Sequence, residues 1–159
     1  MKIKTRLTEK DYINVSFVMF FHSIAVRIII ILGLFVFAMG FILRFNSESK
    51  VGDFTFLIIF VVMFPLLTYF NAKRFYKGNP RLGETIEYQF EQDRLLVIGE
   101  SFSSQYTWEK IYKVKQVKNW VLIYHSKQMA NIISKKDLWP SNIDALKEIL
   151  DTHKVKNNL

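Results

Sequence analysis

Three histidines, His22, His125 and His153, are the first residues to weigh for metal or acid–base chemistry. They are widely separated, no two stand at metal-ligand spacing, and each is expected to be structural or solvated. Glu87 and Glu91 fall on one face of a predicted strand. Four residues at ~3.3 Å per residue hold them roughly 13 Å apart, beyond the ~5 to 9.5 Å of paired glycosidase carboxylates. Cross-strand pairing with lysines is the role expected of them. Ser47-Glu48-Ser49-Lys50 matches S-x-x-K, but the companion motifs of that enzyme class are missing. Neither G-x-S-x-G nor a phosphate-binding glycine loop occurs, and cysteine is absent. The expectation is a protein that is not an enzyme and that uses no metal or cofactor.

Basic groups are the remaining chemistry. The formal charge is +8, but it is unevenly spread: residues 1–27 carry five basic and two acidic groups, and residues 71–159 carry fifteen and ten. One cluster, Lys73, Arg74, Lys77 and Arg81, follows a long apolar run. A second, Lys113, Lys115 and Lys118, with Lys127 further on, belongs to the stretch "TWEKIYKVKQVKNWVLIY" at 107–124, where lysines alternate with aromatic and aliphatic residues. Such interleaving suits a groove for nucleic acid or acidic lipid, and equally a half-exposed β-sheet. Strand phase separates the two. Ile111, Lys113, Lys115 and Val117 share one face, Tyr112, Val114, Gln116 and Lys118 the other, so the lysines are split from most rings. That favours sheet over a stacking platform and counts against nucleic acid as a partner.

The elements that position these groups begin with two apolar runs. "IIIILGLFVFAMGFIL" at 28–43 contains no charge and is flanked by Arg27 and Arg44; "FTFLIIFVVMFPLLTYF" occupies 54–70. At ~1.5 Å per residue they cover about 24 and 26 Å, and a turn of tolerated flank brings each to the ~30 Å hydrocarbon thickness. Two membrane spans, about 23–44 and 54–72, are predicted. Arg27 costs less at the end of a span than at its centre, because its head can reach the headgroups. Pro65 is tolerated in a membrane helix and predicts a kink near Val61. Gly33 and Gly40, one heptad apart, permit a close helix approach. The short loop from Phe45 to Asp53 makes the spans a hairpin. Because basic residues stay inside, the chain is expected in the inner cell membrane with both termini cytoplasmic.

Thr8-Glu9-Lys10-Asp11 has the form of a helix start, and a short helix is predicted to lead into the first span. Before it, "KIKTRL" alternates like a strand and can add an edge to a sheet. Gly78, Pro80 and Gly83 mark a basic linker at 73–83, after which the period changes to two. Ile86, Tyr88 and Phe90 face one way; further strands follow at 94–98, 105–108, 111–117, 120–126 and 129–134. Ser141 is expected to cap a final helix whose apolar stripe is Ile143, Leu146, Ile149 and Leu150, with Lys147 and Asp151 paired on another face. The fold class is therefore α+β: residues 1–72 as an N-terminal segment and transmembrane hairpin, and 84–159 as an antiparallel sheet closed by a C-terminal helix.

The "LTEKDY" entry, the stretch Thr107-Trp108-Glu109-Lys110-Ile111-Tyr112-Lys113-Val114 of the strand domain with its W-x-x-I-x-x-V pattern, and Ile133-Ser134-Lys135-Lys136-Asp137-Leu138 before a final helix resemble the bacterial YcxB-like proteins. The resemblance implies a C-terminal domain similar to a bacterial pleckstrin-homology (PH) fold, with Trp108, Ile111 and Val114 as its structural anchor, and implies no chemistry. Two functions follow as expectations. One is a cytoplasmic binding module for a protein partner or an anionic membrane lipid, using the seven basic residues of the two clusters. The other is an accessory or regulatory subunit whose hairpin packs on a transporter or sensor.

Overall fold

The computed structural model describes residues 1–43, 51–127 and 129–159. The Ser47–Lys50 match, and most of the loop predicted between the spans, lie outside the described residues. The chain forms two compact units: Met1–Glu9 together with Gly78–Leu159, and Lys10–Lys77.

The first unit holds the strands. β1 (Lys2–Arg6) forms from the alternating N-terminal residues and pairs antiparallel with β2 (Thr85–Phe90), Ile3 opposite Tyr88 and Lys4 opposite Glu87. The period of two sends Ile3, Tyr88 and Phe90 inward and Lys4 and Glu87 outward, where they form an ion pair at 3.3 Å. β3 (Arg94–Ile98) and β4 (Ser103–Thr107) complete a four-stranded antiparallel sheet in chain order. A second sheet follows: β5 (Lys113–Val117), β6 (Trp120–Tyr124) and β7 (Ala130–Ser134) form an antiparallel meander. The expected single sheet is thus two. A 3-10 turn at Trp108–Lys110 breaks the ladder between β4 and β5 and starts the second sheet.

α4 (Pro140–Thr152) closes the unit, with Leu146 and Leu150 fully buried among Phe90, Leu95, Val121, Ile123 and Ile133. Each such leucine contributes about 1.5–3 kcal/mol by burial. The helix begins one residue before the expected cap: Trp139 is the N-cap, with no side-chain bond, and Ser141 lies in the first turn. Pro140 explains the shift, since a residue without an N–H and with φ already helical suits the first position. At the other end Val155 N–H donates to Leu150 C=O and Lys154 N–H to Asp151 C=O, with Lys154 left-handed at φ 53°. This is a Schellman stop, with Val155 and Leu150 buried together beneath it. It turns the chain into β8 (Asn157–Asn158), which pairs parallel with β5 and covers its edge. Asp151 accepts a bond from Asn157 Nδ2 at 2.9 Å, where Lys147 was the expected partner.

The second unit contains α1 (Glu9–His22), α2 (Ile24–Leu43) and α3 (Val51–Gly78), the first of which begins in the strand unit. α1 runs antiparallel along the C-terminal half of α3: Tyr12 stacks on Phe75 at 5.9 Å, and Phe20 meets Phe64 at 6.2 Å. Helix α3 continues through Pro65, and the Thr68 hydroxyl donates to the Phe64 carbonyl one turn back. Between α1 and α2 the chain bends by 64°. Arg27 holds the bend: Nε donates to Phe21 C=O at 3.3 Å and Nη2 to His22 C=O at 3.4 Å, placing positive charge on the carbonyls at the end of α1. Among the described residues no single helix is long and apolar enough to cross a membrane; α1 with Ile24–Gly40, taken as one bent pair, has the length and composition for it.

Candidate functional site

The tryptophan anchor proves to be a junction in the core. Trp108 is buried; its Nε1–H donates to Glu91 C=O at 3.1 Å, and its ring lies between Phe90 at 6.3 Å and His153 at 6.0 Å. His153 Nε2 donates in turn to Gln92 C=O. One ring therefore joins the β2–β3 turn, the break between the sheets and the end of α4. Ile111 and Val114 lie in the same core. All three residues of the motif are buried.

The lysines take three different environments. Val114 points into the core, so Lys113 and Lys115 emerge on the opposite face of β5. Lys113 stands across from Tyr124, and its Nζ lies 4.8 Å from that ring and 5.3 Å from the ring of Tyr112. A cation between two tyrosine rings is attracted by both faces. Partial burial raises the Tyr124 phenol above its ordinary pKa, so it stays neutral beside the ammonium. The lysine and rings assigned to separate groups in the sequence therefore meet, because Tyr124 arrives from the neighbouring strand.

Lys118 is not on a strand face. Val117 pairs with Trp120, which leaves Lys118 and Asn119 as a two-residue hairpin turn, with Lys118 left-handed at φ 52°. Lys127 is exposed in the β6–β7 connection. The face shared by Lys113 and Lys115 also carries Val117, Trp120 and Leu122, all buried. β6 is thus buried on both sides, and the surface open to a ligand narrows to Lys113, Lys115, the Lys118 turn and exposed Tyr112.

The other cluster divides between the two units. Lys73, Arg74 and Lys77 lie in the last two turns of α3, with Lys73 Nζ 5.6 Å from the Tyr69 ring centre. Arg81 sits in the 3-10 turn Pro80–Gly83 and covers the Phe102 ring at 5.6 Å. Phe102 also packs against Gly99, where a Cβ would approach its ring to 2.4 Å. That loop is fastened by Glu84, which accepts bonds from the Ser101 hydroxyl and backbone N–H; these bonds hold its carboxyl below the usual range.

Of the acidic pair, Glu87 reaches Lys4 and Lys2 across β1, as expected, while Glu91 is taken by Arg94 at 2.7 Å. His22 Nδ1 donates to Val18 C=O, and His125 stacks on Tyr106 at 5.1 Å with its Nδ1 buried and without a hydrogen bond among the described residues. No group of three or more metal-ligating side chains occurs among the described residues.

Set against known families, residues 90–150 match the model for the YcxB-like protein. The match begins at the last residue of β2 and runs into α4, so it includes the Trp108 junction and the lysines of β5. It is the family that the W-x-x-I-x-x-V pattern resembled. No curated protein and no solved structure matches the chain.

Proposed function

We propose that this chain, with its YcxB-like segment at 90–150, is an inner-membrane protein presenting a cytoplasmic PH-like module that binds anionic lipid headgroups. The observation carrying the membrane part is the exposure of α2. Ile24 is 73% exposed, Ile31 64% and Leu32 56%, and Val36 and Ile42 are equally bare. Apolar side chains left open over most of a helix, with a stripe of Val26, Ile30, Gly33 and Phe37 partly covered, suit hydrocarbon as solvent. If the apolar runs at 28–43 and 54–70 cross the bilayer, the rule that basic residues stay inside orients both termini toward the cytoplasm, because Lys2, Lys4, Arg6 and Lys10 precede the first run and Lys73, Arg74, Lys77 and Arg81 follow the second. The PH-like assignment is supported by the sheets: β1–β4 form one, the β5–β7 meander with β8 on its edge the other, and α4 closes the unit.

The headgroup site consists of Lys113, Lys115 and Lys118. Each basic residue near an anionic leaflet contributes about 1 kcal/mol within a Debye length, and Lys73, Arg74, Lys77 and Arg81 add to the same attraction. Lys113 differs from the others because two tyrosines hold its head in place, so less side-chain freedom is lost on binding.

The chain lacks cysteine, so Lys127→Cys supplies a unique label position. With an environment-sensitive dye there and the full chain in nanodiscs, emission is expected to shift to the blue when phosphatidylglycerol replaces phosphatidylcholine. Combined Lys113→Glu and Lys115→Glu should abolish the shift. Equal emission in the two lipids removes the headgroup site; release of the chain by alkaline carbonate removes the membrane assignment.

A further inference from the structure

Between α1, α2 and α3 lies a cavity of about 250 Å³ lined by Phe20 and Phe21, by Ile29 and Gly33, and by Phe64 and Pro65. Three features open it. The 64° bend carries α2 away from α1, Gly33 contributes no side chain, and the Phe20–Phe64 contact closes one wall without filling the space. Its volume exceeds the ~150 Å³ of an engineered cavity that takes up benzene, and falls short of the ~300 Å³ at which cofactor pockets begin. A segment of hydrocarbon chain fits; a cofactor does not.

The charge beside this cavity selects among hydrocarbons. Arg27 stands in the same turn of α2 as Ile29, bonds the carbonyl of the lining residue Phe21, and is exposed. Its two bonds to α1 fix the guanidinium at the bend and leave further N–H groups for an anion. No acidic side chain occurs between Asp11 and Glu48 to neutralise it from α1 or α2.

We infer that the bend is a phospholipid site: one acyl chain of an anionic phospholipid enters the cavity beside Gly33 and Phe64 while its phosphate rests on Arg27. The inference relies on the membrane assignment above but not on the lysines of β5. It gives the bend a ligand and makes the α1–α2 angle dependent on lipid.

The test uses the full chain in membranes with phosphatidylglycerol carrying a photoactivatable group on one acyl chain, and the phosphatidylcholine equivalent as comparison. Adducts are expected on Phe20, Phe64 and their neighbours, with phosphatidylglycerol preferred. Arg27→Gln should reduce that preference about fivefold, the equivalent of about 1 kcal/mol for one basic residue at an anionic lipid. Gly33→Leu and, separately, Val61→Trp fill the cavity from opposite helices; both should move adducts from the cavity to the outer face at Ile28 and Leu32. Adducts spread evenly over the outer face in the parent, or cavity adducts unchanged by both filling variants, overturn the site. Equal labelling by the two lipids overturns the role of Arg27. Extraction by alkaline carbonate instead overturns the membrane assignment itself.

Discussion

Ile3→Ala provides the sharpest test of how the strand unit is built. Ile3 is 3% exposed, lies opposite Tyr88, and belongs to the core containing Phe90, Trp108 and Leu146. Truncating a buried isoleucine costs about 2–5 kcal/mol. Ile3 is on an edge strand whose neighbours can relax into the gap, so the lower half, about 2–3.5 kcal/mol, is expected. Thr5→Val adds an independent cost. The Thr5 hydroxyl, buried on the same strand, donates to Asp137 in the 3-10 turn after β7, and its loss leaves a half-buried carboxylate oxygen short of a donor, worth about 1–3 kcal/mol. Urea unfolding of the full chain in detergent measures both, followed by the fluorescence of buried Trp108 and Trp120. Combined, at about 3–6.5 kcal/mol, the substitutions approach the lower end of the ~5–15 kcal/mol typical of a domain. A change below about 0.5 kcal/mol for Ile3→Ala, the size of a surface substitution, refutes the placement of β1 in the core.

Two further outcomes follow from local geometry. Lys118→Gly should raise the thermal midpoint modestly, because relief of a left-handed lysine, about 1–2 kcal/mol, exceeds the ~0.5–1 kcal/mol entropic cost of glycine; a lowered midpoint refutes the turn geometry. The carboxyl of Glu87 is held below its ordinary pKa by the Gln89 side-chain amide and then by Lys4, so its contribution to stability is complete above the unfolded value near ~4.3 and is lost as pH falls through the lowered folded value. Unfolding midpoints measured across that acid range should fall less steeply in Glu87→Gln than in the parent.

Local alternation was enough to place Ile3, Tyr88 and Phe90 on one face and to give β1 to a sheet edge, because period two depends only on neighbouring residues. The apolar stripe of α4 was legible for the same reason. What was not legible depends on partners distant in sequence. Lys113 meets Tyr124 only because β5 and β6 pair in one register, and nothing within β5 reveals it. The break at Trp108–Lys110 falls where the predicted strands end and begin, but nothing in those residues tells that the next strand starts a second sheet. β6 looks half-buried by alternation, yet Trp120 and Leu122 are as enclosed as Val121 and Ile123. The helix starts at Pro140, ahead of the serine that could cap it, because the proline ring presets φ for the first helical position.

Pairing of Arg6 with Thr85 has a consequence for the order in which the protein is made. β1 leaves the ribosome first, and its partner follows only after the intervening helices, roughly 4–16 s later at ~5–20 residues per second. Through that interval Ile3 has no core to enter and β1 no strand to pair with. The strand unit therefore completes only after α1, α2 and α3 have been delivered. Its first strand is joined through Thr5 to the turn that precedes α4, so residues at the two ends of the unit's sequence meet only in the last step.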